Sequence, residues 1–450
     1  MRRLFFLLVL CLSGAQPARA DFLKTVTAFS WNAADVATTT YDVTVGFEAK
    51  CGIVFTSGIS GTVDAAARGD SYLGFGAFVS NASRAAIGYR NDDAAAAEAI
   101  GIRHDVAQVL TFSNTAVGGN DSGRLDVTTI DADSVIFTVD TQVAANVRAV
   151  LIAWGGSDIS ACGVGSFQEP LTATTVAEAH GLGATPTGVI FYSGCFSTAP
   201  PEDNGADAAG HGFFVSAYDG TNGWVVMNLA DDANVSSTSR AYAKADEIAA
   251  CGTPNAATID MIATTASSSL DATNITVNFS QVNTSIQRYI FYIAWVGGQF
   301  QALDDVTAID TNAFTGPTAG YTPTIAFIAS ANRVEDTTDT PTNSAVFSMG
   351  AATSTSDQVA QGMHNVTALA DTDVAVVQEV GAVYVNFDPA TMDTTPANRG
   401  EMRITGFNDP LDLVMDDADP TANFFGAAIW GAAVAASGGR PGLIGGGLLQ

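Results

Sequence analysis

Leu151-Ile152-Ala153-Trp154-Gly155-Gly156 returns as Tyr292-Ile293-Ala294-Trp295-Val296-Gly297-Gly298, and again as Ala427-Ala428-Ile429-Trp430-Gly431. Each time an apolar run closes on a tryptophan and stops at glycine. A short apolar run bounded by turn residues reads as a buried strand. Two further markers precede it in the same order. Gly52-Ile53-Val54-Phe55, Gly188-Val189-Ile190-Phe191 and Thr324-Ile325-Ala326-Phe327 place a phenylalanine every 136 residues, the last two after Thr-Pro-Thr at 185–187 and 322–324. The pattern G-x-G-x-F-V-S at 74–80 recurs 136 residues later at 210–216, and its end survives as Ala345-Val346-Phe347-Ser348. Upstream of the tryptophan, Asp131-Ala132-Asp133 with 135–139 matches Asp271-Ala272 with 275–279.

Solenoid units run to about 20–50 residues, so a period near 136 means whole domains in tandem. They are expected at 21–158, 159–299 and 300–432. Within the first, short apolar or alternating runs fall at 25–31, 41–47, 52–55, 74–80, 85–89, 109–112, 125–129, 135–139 and 147–154, with Gly, Asn, Asp and Ser between them. Eight or nine strands per copy is the density of an antiparallel β-sandwich of jelly-roll type. The expected fold is therefore all-β, three related sandwiches in a row. Two windows, 92–100 and 239–250, read as short helices.

Composition agrees. Of 450 residues 47% are apolar, enough for a core in each domain, and only 14% are charged. The net charge is −28, or −31 once Arg2, Arg3 and Arg19 leave with a leader. Lysine is confined to Lys24, Lys50 and Lys244. The acids are mostly aspartate, a turn residue rather than a helix former. A surface this acidic repels nucleic acid and anionic membranes, which excludes both as partners.

Arg2-Arg3, the apolar run 4–12 and Ala18-Arg19-Ala20 have the layout of a signal peptide, residues 1–20, cut before Asp21. The alternative is an uncleaved N-terminal anchor. No membrane span is expected after cleavage, because the run 424–436 is shorter than the ~20 residues a helix needs. Residues 433–450 read as a Gly-rich flexible tail that could serve in assembly or docking. The expected location is secreted, cell-surface or virion-associated. Past the leader remain Cys51, Cys162, Cys195 and Cys251. They permit two disulfides in any of three pairings, or buried free thiols. None has the spacing of a zinc or redox site.

Chemistry-bearing motifs are missing. There is no G-x-S-x-G elbow, P-loop, H-E-x-x-H or dinucleotide fingerprint. His104, His180, His211 and His364 each stand alone and read as solvent or loop residues. No catalytic residue is assigned, and the chain is expected not to be an enzyme. Asp92-Asp93 and Asp231-Asp232 recur after the second marker. Asp231 and Asp232 are carried as ligand-binding candidates. So is Trp224, which follows the turn Asp219-Gly220-Thr221-Asn222-Gly223 and, if exposed, could stack on a sugar. The loop 202–207 offers Asp203, Asn204 and Asp207 as oxygen donors for Ca²⁺, although no segment has EF-hand spacing. No cofactor is required. The bland alternative is that these aspartates end strands and solvate loops. Trp154, Trp295 and Trp430, being repeat-equivalent, read as packing residues.

The order of these segments, from the Pro-led strand ending at Phe191 through 210–216 and Asp231-Asp232-Ala233 to Asp271-Ala272 and Ala294-Trp295, resembles that of uncharacterised tandem-repeat proteins of tailed phages and prophages. That likeness covers the first two copies best and implies a virion or tail-associated structural protein, with no functional residues to transfer. The leader departs from it, since virion proteins assemble in the cytoplasm. A fainter likeness is to H-type lectin domains, which pair a similar early strand with a terminal Trp strand. The sequence thus leads to a non-catalytic structural or adhesive surface protein, with a protein or glycan on a cell or virion surface as partner and a homo-oligomer as one arrangement. The alternatives are a lectin-like, Ca²⁺-assisted carbohydrate binder and a secreted hydrolase with its site at a domain junction.

Overall fold

The computed structural model describes residues 21–58, 66–67, 70–92, 99–112, 123–143, 146–197, 200, 202–204, 211–230, 239–253, 258–306, 313–331, 335, 342–343, 345–365, 374–387, 398–417 and 423–433. Among these, every regular element is a strand and the sheets pair antiparallel. The first copy supplies β1 (Leu23–Trp31), β2 (Thr40–Thr44), β3 (Ala49–Thr56), β4 (Ala66–Ala67), β5 (Asp70–Ser80), β6 (Ser83–Asp92), β7 (Ala99–Asp105), β8 (Leu110–Phe112), β9 (Gly123–Ile130), β10 (Ser134–Thr141) and β11 (Val147–Gly155). A large sheet runs β1-β11-β3-β5-β6-β7, and a small one β2-β10-β9-β8. The second copy repeats the large sheet as Ile159–Gln168, Tyr289–Gly297, Gly188–Ser193, His211–Tyr218, Gly223–Ala230 and Ser239–Ala245. In the third it is Gln299–Val306, Phe424–Gly431, Ile325–Ser330, Ala345–Ser354, Asp357–Asn365 and Val374–Val380.

Burial explains the two kinds of strand pattern. Small-sheet strands alternate, as in β9 or Asn274–Gln281, because one face packs inward and the other meets solvent. The middle strands of the large sheets are buried along most of their length, as in β11, Gly188–Ser193 and Phe424–Gly431. Such a strand must be covered on both faces. One cover is the small sheet. Between large and small sheets lie three separate cores, with Trp31, Val54, Phe78, Phe112 and Phe137 in the first, Phe191, Phe214, Met227 and Met261 in the second, and Ile328, Tyr384, Leu413 and Phe425 in the third. The other cover is a fourth core drawn from all three copies, containing Ile53, Phe75, Trp154, Ile190, Trp224, Trp295, Phe327 and Trp430. The large sheets thus face one another around a common interior, with the small sheets outermost.

Two expectations need correction. The window 239–250 is two strands, Ser239–Ala245 and Glu247–Thr253, not a helix. Ala241 and Ala243 pack into the common core while Tyr242 faces the second copy's own core, an alternation of faces that a helix could not give. Asp246 between them has φ +59°, a local break that ends the first strand. Residues 99–100 of the other window begin β7, and 93–98 lie outside the described residues. Strands also outnumber the eight or nine expected per copy, in part because the strands Ala66–Ala67, Glu202–Asn204 and Thr342–Asn343 are too short to show a period.

Candidate functional site: a ring closed by exchanged strands

Each large sheet has a seventh strand, and none is its own. Beside β7, the pairs Glu202↔His104, Asp203↔Arg103 and Asn204↔Ile102 add Glu202–Asn204 from the second copy. Thr342–Asn343 of the third copy pairs with Ala241 and Arg240 of the second. β4 of the first copy pairs with Ala375 and Val376 of the third. The donations run second to first, third to second, first to third, and so close a cycle. Every donor lies between the counterparts of β3 and β5. An uncovered edge strand is a template for unwanted pairing, and the exchange covers one edge of each large sheet.

The tryptophans meet where the three copies meet. Trp154, Trp295 and Trp430 are fully buried and stand 5.5 Å apart, centroid to centroid, in all three pairings. Each has a strand partner on either side, and around the axis those partners meet the neighbouring copy in three different ways. Cys51, paired with Trp154, is bonded to Cys162, paired with Trp295. Gly188, paired with Trp295, lies under the ring of Phe300, paired with Trp430. Ile325 and Lys24 hold the corresponding places at the third seam. Lys24 is half-buried there, and burial lowers its ammonium pKa. The second disulfide, Cys195–Cys251, stays within the second copy.

Cys51–Cys162 closes a separation of 111 residues across two copies. Replacing both with alanine should cost about 2–4 kcal/mol of stability, through a larger unfolded ensemble. Calorimetry of C51A/C162A beside the parent checks this, and an unchanged Tm would show that the cross-link carries no stability.

The two ends of the ring differ. At one, Asp21 N–H donates to Ser157 Oγ at 2.9 Å, Asp158 N–H to the Asp21 carbonyl at 3.2 Å, and Ala433 N–H to Asp158 Oδ2 at 3.0 Å. The first and last described residues therefore meet at the link between copies one and two. β3 starts beside Gly155 at this end and leaves at Thr56 at the other, where β6 and its counterparts also finish.

The sequence candidates divide accordingly. Asp231, Asp232 and Asp207 lie outside the described residues. Asp203 and Asn204 fall in the exchanged strand. Trp224 is not the exposed stacking surface considered for it. It is fully buried in the common core and donates its indole N–H to the Ala427 carbonyl of the third copy at 3.2 Å. Six strand residues, about 20 Å, separate it from Ala230, the residue before Asp231. Among the described residues no group of three His, Cys, Asp or Glu side chains is placed to hold a metal.

His104 departs from the solvent-or-loop expectation, whereas His180 stands in the loop after Thr175–Ala179. His104 is buried in β7 against Phe196, Tyr289 and Phe291 of the second copy, centroids 5.3–5.6 Å away. His180 is buried with Nε2 3.0 Å from the Asp271 carbonyl. Alternating strands surrounded by aromatics from another copy leave no local trace in the sequence.

The buried charges are also structural. Arg288 donates to Glu169 Oε2 at 3.1 Å and to Asp260 Oδ2 at 3.0 Å, and Asn283 N–H and Nδ2 donate to the same two carboxylates. Glu169 is fully buried, and desolvation raises its pKa despite Arg288. Asp126, on β9, is raised to about 6 by burial, with Arg84 pulling the other way. The unfolded carboxyl titrates near about 4. Its contribution to folding is therefore complete below about pH 4 and lost as pH rises through about 6. D126N should flatten the stability profile in that interval, read as urea midpoints at half-unit pH steps; an unaltered slope would refute the assignment.

The chain matches no family profile and no curated protein.

Proposed function

We propose that the chain is a non-catalytic structural or adhesive protein of an exported or virion-associated surface, in which one polypeptide does the work of three subunits. The observation that carries this reading is the ring itself, three sandwiches closed by exchanged strands around one core. It holds three sets of connections at one end and brings both ends of the described chain together at the other. An end-differentiated block is what a tethered spacer or adhesin needs, with the acidic surface keeping it soluble. Two disulfides support assembly in an oxidising compartment. The lectin-like alternative loses its stacking residue with the burial of Trp224.

Antibody labelling of intact cells or virions of the producing organism tests this, with thiol counting on the recovered protein. Surface label and no free thiol are expected. Label confined to the cytosol with all five cysteines free would overturn the export reading. Turnover of a polysaccharide or peptide substrate, lost on substituting Asp231 and Asp232, would overturn the non-catalytic one.

A further inference from the structure

The three seams of the ring are alike in plan but not in chemistry. Copies one and two are joined by Cys51–Cys162 and by the segment 156–158. The third copy contains no cysteine. It is tied to the second by a single residue, Gly298, between Tyr289–Gly297 and Gln299–Val306. Gly297 and Gly298 have φ +104° and +69°, values that glycine adopts at little cost and that a changed hinge angle would release. Everything else that holds the third copy is non-covalent. On the second copy's side this includes the pairing of Thr342–Asn343 with Arg240 and Ala241, Trp224 against Gly426 and Phe300 against Gly188. On the first copy's side Gln361 accepts from Ser57 N–H at 2.7 Å and donates to the Arg148 carbonyl at 2.9 Å.

We infer that the third copy is an exchangeable unit, with Gly297-Gly298 as hinge, and that the partner this fold accepts is a second copy of the same chain. Both seams of the third copy are heterologous, so the surface it offers fits any stapled pair of first and second copies, its own or another chain's. The swap needs no new contact. A very short connection between two large units is the circumstance that favours it. Two chains trading third copies form a closed dimer, leaving no seam open. In dilute solution the tether gives the chain's own third copy the advantage, and at high protein concentration that advantage shrinks.

The test uses the whole chain with its disulfides kept, refolded from denaturant over a range of concentrations and sized by chromatography with light scattering. Wild type should refold to monomer when dilute and to a rising share of dimer when concentrated. K24C/I325C places a cysteine pair at the seam positions that Cys51 and Cys162 occupy elsewhere in the ring, and G188C/F300C does so at the remaining seam. With either pair oxidised in the folded monomer before denaturation, the dimer share should fall to background; reduction of the new bond should restore it. Conversely, K24C/I325C with only the new pair reduced, refolded at high concentration and then oxidised, should give a covalent dimer on a non-reducing gel. Wild type that stays monomeric at every concentration, or dimer of equal share in both oxidised pairs, would overturn the inference.

Discussion

Replacing Trp295 with alanine should lower the unfolding free energy by about 3–5 kcal/mol and shift the unfolding of the whole chain, not that of one third of it. Trp295 touches Trp154 and Trp430 at 5.5 Å and Phe300 edge-on at 4.7 Å. The lost contacts therefore belong to all three copies at once. The space left is walled by the rings of Trp154, Phe300 and Trp430, side chains of strands anchored in two other sheets, so it has little freedom to collapse, and poor collapse puts a cavity at the costly end of its range. Guanidinium unfolding followed by tryptophan fluorescence and far-UV circular dichroism separates the outcomes. Coincident transitions at a lower midpoint support one cooperative ring. A biphasic curve with one third of the amplitude displaced would mean three sandwiches strung like beads, and a loss below about 1 kcal/mol would mean that the axis can repack.

Much of the fold was legible because strands buried on both faces advertise themselves. β3, β5 and β11 and their counterparts are apolar runs between turn residues, and the tryptophans that close three of them do meet. The ring was not legible. β4 is two alanines in an alanine-rich segment, too short to show a period, and its partner strand is some 300 residues away in the chain. β7 begins at the end of a window whose Ala and Glu favour helix, but those residues, 94–98, lie outside the described ones.

The even spacing of Phe55, Phe191 and Phe327 also concealed a difference. Phe55 pairs with the residue four before its copy's tryptophan, Phe191 with that three before, Phe327 with that two before. A slip of one residue turns a side chain to the other face. Phe191 accordingly lies in the second copy's own core, while Phe55 and Phe327 lie in the shared one. In the second marker the slip is four: Ala77 and Ala217, not Ala77 and Phe213, pair with the residues two after the tryptophans' strand partners, and an even slip keeps the face. Of the site candidates, Trp224 lies in the core, the reading favoured for it over an exposed stacking surface, and what the sequence could not show is that it packs against Gly426, two hundred positions on.

That pair carries the second large effect. Trp224 pairs with Ala217, while Ala85 and Val359 pair with the corresponding Ala77 and Ala351, so the second copy alone has a large ring at this seam position. Opposite it stands Gly426, four residues before Trp430, where the other copies have Val150 and Phe291 four residues before theirs. A Cβ at Gly426 would fall inside the indole of Trp224. G426V should therefore cost about 3 kcal/mol, since the ring is held by its N–H to Ala427 and the strand by pairing on both sides. W224A should cost about 3–5 kcal/mol through the cavity and the lost hydrogen bond. If the two residues are complementary in volume, the valine of the double variant occupies space the indole has left. W224A/G426V should then be more stable than the sum of the single losses by about 2 kcal/mol or more, within the range of coupling for residues in contact. Chemical unfolding of the four proteins measures that coupling directly. Additive losses would mean that the glycine answers to its own strand and not to the tryptophan of the neighbouring copy, and the seam would then be a contact that any medium-sized pair could make.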